Sequence, residues 1–290
     1  MDIVKIGNHL VGENQKTFIA AEIGINHNGD LDLAKKLIAA AKGAGCDAVK
    51  FQKRTIDVVY TQKELATPRE NPFGPTNGDL KRGLEFSVEA YTEIDRFCKE
   101  QDIMWFASPW DEDSVDFLED FDIPCYKIAA ASLTDSGLLA RTKSTGKPVI
   151  LSTGMSELLE IDRAVAALGK EQLIIMHCVS IYPAAPGQVN LRCINTLRER
   201  YGVPVGYSGH ELDTLVSAVA VAMGASAVER HFTLGRGLWG SDQKASIEPG
   251  EMDALVKNIR MIEQALGDPT PRLLPEEIPI KEKLRRVVTI

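Results

Sequence analysis

Val203-Pro204-Val205-Gly206-Tyr207-Ser208-Gly209-His210 and, one amphipathic stretch later, Ala225-Ser226-Ala227-Val228-Glu229-Arg230-His231-Phe232 decide how this chain is read. Each stretch holds a short apolar run that reads as a strand, Val203–Gly206 and Ser226–Glu229, with a histidine just past it. The segment between them, Leu212 to Met223, has the length of one crossover helix. Two consecutive parallel strands would then end side by side, each presenting an imidazole on the same rim. Neutral imidazole is the commonest protein ligand for divalent metals, so the pair reads as a metal site. The alternative is one hydrogen-bonded core histidine and one surface histidine.

Working outward, the same alternation fills the chain. Strand candidates are Phe18–Ile23, Ala48–Phe51, Met104–Ala107, Cys125–Ile128, Val149–Leu151, Leu173–His177, Val203–Gly206 and Ser226–Glu229. Most intervals between them are about 20 to 30 residues, the size of a βα unit with its loops. Apolar residues at helical spacing mark the connecting helices, as Leu33, Leu37, Ile38 and Ala41 do for the first. The strands are near-continuous apolar runs, as expected when both faces are buried. The pattern predicts an α/β fold, a (β/α)8 TIM barrel with a short N-terminal hairpin. A doubly wound sheet is the second choice, but Gly24-Ile25-Asn26-His27-Asn28-Gly29 is not the glycine fingerprint of a dinucleotide site.

Three segments stand outside the repeat. Val4–Lys16 reads as a hairpin plugging the barrel bottom. Thr55–Glu85 is a long connection after the second strand that reads as a lid or binding loop, and its middle, Pro72 to Gly78, cannot be a helix interior. The catalytic domain is expected over 1–268, and 269–290, which begins with Pro269, Pro271, Pro275 and Pro279, as a linker or tail.

Composition narrows the function. The 290 residues are 44% hydrophobic with a net charge of -8, enough for a large core and unsuited to nucleic acid. No apolar run approaches the ~18 residues of a membrane span. The N-terminus lacks the plan of a signal peptide. The five cysteines are widely spaced with no CxxC pair, arguing against a zinc knuckle or disulfide framework. A cytoplasmic protein is expected.

In a barrel of this kind the active site lies at the C-terminal ends of the strands. Those ends deliver Glu22, Asn26 and His27, then Lys50 and Gln52, Ser108 and Asp111, and Lys127. They continue with Ser152, then His177, Ser180 and Tyr182, then Ser208 and His210, and finally Glu229 and His231, with Asp242 in the following loop. Two lysines among hydroxyls and exposed amides suit a ligand bearing both phosphate and carboxylate. Their alternative is a salt bridge to Glu22 or Glu229, since an unpaired lysine inside a barrel is costly. Asp111 reads as a helix cap, His177 as core, and Ser152 equally as cap or ligand contact. Neither a GxSxG elbow nor a P-loop occurs.

Five motifs in order, Glu22–Asp30, Asp47–Lys53, Ile150–Met155, Gly206–His210 and Glu229–Thr233, resemble the sialic acid synthase family, which includes the N-acetylneuraminate, legionaminic and pseudaminic acid synthases. The resemblance implies an enzyme condensing phosphoenolpyruvate (PEP) with the open-chain aldehyde of an aldose, N-acetylmannosamine-like or related, with release of phosphate. It implies that His210 and His231 hold a divalent metal, Mn2+ before Mg2+ or Co2+. Lys50, Lys127, Ser152 and Ser208 would then grip PEP, and Glu22, Gln52, Tyr182 and Asp242 would face the sugar. Glu22, Lys50, Lys127 and Glu229 are the expected catalytic residues, with Ser108 and Ser180 also binding substrate.

The chain departs from the family pattern at Ala130, where a phosphate-touching serine is common, and at Ser180 and Ser108, which replace a common asparagine and threonine. Many members also carry a C-terminal antifreeze-like domain whose arginine reaches the partner's sugar site. The barrel is expected here without it. A differently substituted aldose, a homodimer, or a separate subunit completing the sugar site fits that reading. Two other functions stay open: a Schiff-base aldolase or lyase using a strand-end lysine, and a catalytically silent barrel that binds a sugar acid.

Overall fold

The structure, a computed structural model, describes residues 3–286. The chain opens with an antiparallel hairpin, β1 (Val4–Ile6) and β2 (His9–Val11). The first barrel strand β3 (Phe18–Gly24) and helix α1 (Leu31–Gly43) follow, then strand β4 (Ala48–Lys53). An insertion comes next: α2 (Ile56–Val59), α3 (Gln62–Leu65), a hairpin of β5 (Pro68–Asn71) and β6 (Gly74–Thr76), and α4 (Asn77–Leu84). The repeat resumes with α5 (Val88–Glu100), β7 (Met104–Pro109), α6 (Glu112–Glu119), β8 (Tyr126–Ile128) and α7 (Ser136–Ser144). It continues with β9 (Val149–Ser152), α8 (Leu158–Leu168), β10 (Leu173–Cys178) and α9 (Cys193–Tyr201). The last units are β11 (Val205–Gly209), α10 (Leu215–Ala222), β12 (Ala227–His231), α11 (Pro249–Leu266) and a short terminal helix α12 (Ile278–Leu284). Strands β3, β4 and β7 to β12 pair in parallel and close on one another, β12 beside β3, as a (β/α)8 barrel.

Strand periodicity sorts side chains into two cores. Ile19, Ala21, Val49, Phe51 and Ile175 face the helices. Phe18, Ala20, Ala48, Phe106, Cys125, Ile150, Ile174, Met176 and Ala227 fill the barrel axis together with Val4, Ile6 and Val11 of the hairpin. The N-terminal hairpin is therefore the bottom plug that its apolar residues predict. At Gly206 the axis leaves no room for a side chain. A Cβ there would lie 2.5 Å from Met176 Sδ and 2.6 Å from the Ala227 carbonyl oxygen. Gly206→Ala is expected to cost about 1–3 kcal/mol through overpacking, read as a lower urea midpoint at unchanged m-value.

Two expectations change. Thr55–Glu85, expected as a lid or binding loop, lines the site with Tyr60 and Lys81 but also holds regular structure, because Thr61, Thr76 and Asn71 supply local hydrogen bonds that build short helices and a hairpin. Asn77 and Gly78 of its middle do enter a helix, but as the first turn of α4, capped by Thr76, which accepts from Asp79 N at 3.1 Å. The tail is more than a linker: α12 forms after Pro275, with Ile280 and Leu284 exposed. Residues 287–290 of the predicted tail lie outside the described residues.

Candidate active site

The axial rows of side chains do not stop at the apolar layer. Two residues above Ala20 stands Glu22, above Ala48 Lys50, and above Phe106 Ser108. In the same way Cys125 leads to Lys127, Ile150 to Ser152, Gly206 to Ser208 and Ala227 to Glu229. The period of two that points apolar side chains at the axis thus points the next polar ones into the top of the barrel. Register places neighbours opposite each other: Glu22 beside both Lys50 and His231, Ser208 beside Glu229, and Gln52 beside Ser108. The strand pairing slips between Glu22 and Gly24, a bulge at the site's edge. Gly24 has φ 54°, and a Cβ there would press on Glu22 Oε1 at 2.9 Å.

All thirteen residues predicted for the site line one cavity of about 400 Å3. These are Glu22, Lys50, Gln52, Ser108, Lys127, Ser152, Ser180, Tyr182, Ser208, His210, Glu229, His231 and Asp242. At its floor lie four buried charges. Lys50 Nζ is 2.9 Å from Glu22 Oε2, 3.6 Å from Glu229 Oε1 and 3.2 Å from Ser108 Oγ. Lys127 Nζ donates to both Glu229 oxygens at 2.9 Å. Gln52 Nε2 donates to Glu22 Oε1 at 2.8 Å. The salt bridges considered as the lysines' alternative therefore exist, and they exist inside the cavity. Burial acts to raise the Glu229 carboxyl, but the Lys127 and Lys50 ammonium groups overcome it and hold the pKa at about 2. Burial likewise acts against a charged Lys50, and Glu22 and Glu229 outweigh it, so that ammonium is held above its ordinary value.

The imidazoles lie beside this cluster, ring centroids 5.5 Å apart, with the Tyr182 ring 4.0 Å from His210. His210 Nδ1 lies 2.6 Å from the Val179 carbonyl, which it can only approach as a donor, leaving Nε2 with a free lone pair. Burial, then the neighbouring His231, push the His210 pKa down to about 3, so the ring is neutral. His231 Nδ1 is buried with no hydrogen-bond partner and lies 3.9 Å from Asp242 Oδ2. Two close imidazoles, that of His210 neutral and that of His231 with an orphaned nitrogen, fit a divalent metal. Among the described residues no set of three His, Cys, Asp or Glu converges on one point. His210 and His231 are the residues that could hold such a metal, each through a ring nitrogen.

Four rim residues do other work. Asn26 Nδ2 donates to the Phe232 carbonyl at 2.9 Å and to Ser246 Oγ at 2.8 Å, tying the ends of β3 and β12 together. His27 turns away from the cavity, stacks on Phe86 at 4.0 Å and accepts from Gly29 N at 3.0 Å. Both had been expected on the rim, but the turn that follows Gly24 carries them over the edge of the barrel. Asp111 caps α6 and also receives Thr55 N at 2.8 Å. His177, on the helix-facing side of β10, meets the Val189 carbonyl at 2.6 Å.

The cavity also contains residues absent from the sequence reading. Arg54, Trp110 and Cys178 continue the axial rows past Gln52, Ser108 and Met176, so the period of two carried beyond the strand ends could have found them. Arg54 stacks on Trp110 at 4.2 Å and reaches Glu85 Oε1 at 3.4 Å. Tyr60 and Lys81 come from the insertion, where no strand pattern announces them. Ala130, the departure from the family's serine, also lines the cavity.

Comparison with known proteins places the chain among the sugar-acid synthases built on this barrel. Human N-acetylneuraminate-9-phosphate synthase is 40% identical over 284 residues, 96% of this chain and 79% of the human protein. The N,N'-diacetyllegionaminic acid synthase of Legionella pneumophila is 37% identical over 289 residues, covering 96% of this chain and 81% of that protein. A crystal structure of N-acetylneuraminic acid (sialic acid) synthetase from Leptospira borgpetersenii, in complex with citrate, superposes with a TM-score of 0.86 at 31% identity, covering 99% of this chain and 98% of that one. The model of the NeuB family matches residues 37–270. The chain belongs to the NeuB family, that of the sialic acid synthases.

Proposed function

We propose that this protein condenses PEP with the open-chain aldehyde of an aldose, N-acetylmannosamine-like or related, to give a 2-keto-3-deoxy sugar acid and inorganic phosphate. The observation that carries the reading is the juxtaposition of two buried lysine–carboxylate pairs and two close imidazoles in one cavity. Lys50 and Lys127, with the hydroxyls of Ser108, Ser152, Ser180 and Ser208, would bind the phosphate and carboxylate. Gln52, Tyr182 and Asp242 would orient the sugar. His210 and His231 would hold a divalent metal, Mn2+ by family resemblance with Mg2+ or Co2+ as alternatives. When bound, it supplies electrophilic polarisation of the aldehyde oxygen.

In the reaction, carbon 3 of the enol forms a bond to the aldehyde carbon, whose oxygen takes the electron pair and a proton. Positive charge develops at carbon 2. Glu229, kept ionised by its two lysines, stabilises that charge. Water adds at carbon 2 and loses one proton; the carbon–oxygen bond to phosphate then breaks, phosphate leaving with the electron pair and taking up the hydroxyl's remaining proton as the ketone forms. Glu22 is placed to protonate the new alkoxide or to accept the water proton.

Phosphate release from PEP with Mn2+ and a panel of aldoses tests the reading. Release that depends on the aldose and is lost in His210→Ala would support it. Absence of release with every aldose would overturn it.

One observation favours a second reading, a Schiff-base aldolase. Burial pushes the Lys127 ammonium below its ordinary value, toward the free amine that such a mechanism needs. Borohydride trapping with pyruvate would label a lysine only in that case. The synthase reading is preferred because it uses both imidazoles. Among the described residues no helix is long and apolar enough to cross a membrane. The cysteines are unpaired, which supports placing the reaction in the cytoplasm.

A further inference from the structure

We infer that Arg54 is a positioning residue for the condensation: it holds the Gln52 side-chain amide in the one orientation that directs its N–H to Glu22, and so sets both groups for the sugar. The inference rests on the synthase reading above and adds to it a residue that acts through another.

Arg54 follows Gln52 by two residues at the end of β4, on the same side of the strand. It is buried and held from several directions. The Trp110 ring stacks on its guanidinium at 4.2 Å. Nη1 lies 3.4 Å from Glu85 Oε1, and the Arg54 backbone N–H donates to Glu85 Oε2 at 3.2 Å. Glu85 closes α4, so the insertion itself supplies the carboxylate that anchors the arginine. Nη2 donates to Gln52 Oε1.

The other end of the Gln52 amide meets Glu22. Nε2 donates to Glu22 Oε1 at 2.8 Å, while Lys50 Nζ lies 2.9 Å from Oε2 of the same carboxylate. A guanidinium has donors only, so the amide end that faces Arg54 must be the carbonyl oxygen, and the amino end then faces Glu22. The last torsion of a glutamine side chain is soft, so the amide turns readily once a partner is lost. Arg54 forbids the turned orientation, which would set donor against donor on one side and acceptor against acceptor on the other. The Tyr91 hydroxyl donates to the Gln52 backbone carbonyl at 3.0 Å and fixes the main chain, which leaves the side chain for Arg54 to set. Gly24 makes room for the contact: a Cβ there would lie 2.9 Å from Glu22 Oε1 and 3.1 Å from Gln52 Nε2.

An unlocked amide would offer the sugar an acceptor where the locked one offers a donor, and it would withdraw a hydrogen bond from Glu22. The loss therefore falls on the aldose and on the proton step. On the proposed reading PEP is held by Lys50, Lys127 and the serine hydroxyls, and among the described residues the Arg54 side chain hydrogen-bonds only to Glu85 and Gln52.

The test is PEP-dependent phosphate release with Mn2+ and N-acetylmannosamine by the full chain, as wild type, Arg54→Met, Gln52→Ala and the double variant. Arg54→Met is expected to raise the KM for the aldose and lower kcat, a loss in kcat/KM of about 10- to 100-fold from a misplaced orienting group. The KM for PEP should stay within about twofold. In the Gln52→Ala background the same substitution should change kcat/KM by less than about twofold, because the group it acts through is gone. Arg54→Lys keeps one donor for Gln52 Oε1 and should recover part of the loss. An equal loss in both backgrounds, as direct contact with substrate or general damage to the fold would give, would overturn the inference and leave the synthase reading standing. So would an unimpaired Arg54→Met enzyme. The side-chain amide NMR signals of Gln52, identified by their absence in Gln52→Ala, provide a readout that needs no turnover. Their exchange with water should be about tenfold faster in Arg54→Met, and unchanged exchange would overturn the lock. Absence of release by the wild type with every aldose would overturn the synthase reading, and the exchange measurement would still decide the lock.

Discussion

Lys127→Met is expected to lower kcat/KM for PEP-dependent phosphate release by about 100- to 1,000-fold, the cost of deleting one preorganised charge-bearing donor. The ammonium lies 2.9 Å from both Glu229 oxygens and is almost wholly buried. Its removal therefore has two consequences. On the proposed reading the anionic substrate loses a cation, and Glu229 is left with the Ser208 hydroxyl at 3.4 Å and one cation, Lys50, whose Nζ is 3.6 Å away. The second consequence should also destabilise the barrel, by about 3–5 kcal/mol for breaking a buried pair. Lys127→Met/Glu229→Gln separates the two effects, because it removes both charges. It should regain most of the lost stability and none of the activity. Retention of activity within a few fold in the single variant, or its return in the double, would contradict the assigned role. Steady-state kinetics and urea unfolding on the same preparations measure both.

Arg230→Met should cost about 3–5 kcal/mol of stability, lowering Tm by roughly 10 °C for a chain of this size. Arg230 is the bulkiest fully buried side chain among the described residues and points outward from β12 between the inward Glu229 and His231. Nη1 donates to Glu211 Oε1 at 3.0 Å, to the Asp213 carbonyl at 2.7 Å and to Ser217 Oγ at 3.0 Å, and Nη2 donates to the Glu211 carbonyl. Glu211 is equally buried and also accepts from Tyr207 Oη at 2.8 Å and Ser217 Oγ at 2.9 Å. Methionine would leave that carboxylate with hydroxyl partners and no cation. The pair therefore locks the turn after His210 to the strand bearing His231. Arg230→Met/Glu211→Gln should recover part of the loss. Calorimetric melting within 2–3 °C of wild type for the single variant would refute the claim, since about 1 kcal/mol corresponds to that shift.

The same alternation made much of this site legible before any coordinates. The apolar strands named their own axial rows, and the residue two places on from each was polar: Glu22, Lys50, Ser108, Lys127, Ser152, Ser208, Glu229. Strand limits were less well placed. β11 runs to Gly209 and β12 to His231, further than their apolar runs, because the polar top layer belongs to the strands as much as the apolar layers do. Asn26 and His27 misled for the converse reason: they follow a turn at Gly24 that takes them out of the row.

By itself the sequence determined the fold class, the order of its units and the membership of the polar layer that lines the cavity. These follow from local periodicity and from motif residues that a one-residue slip would turn to the wrong face. Only the tertiary structure decided which charges neutralise which. Glu229 lies 102 positions from Lys127, and they meet because the barrel brings β8 and β12 across one axis. It also decided that Arg69, Lys81 and Lys244 share a cleft. Two of them come from an insertion and one from a distant loop, and no period along the chain relates residues whose proximity arises only from packing.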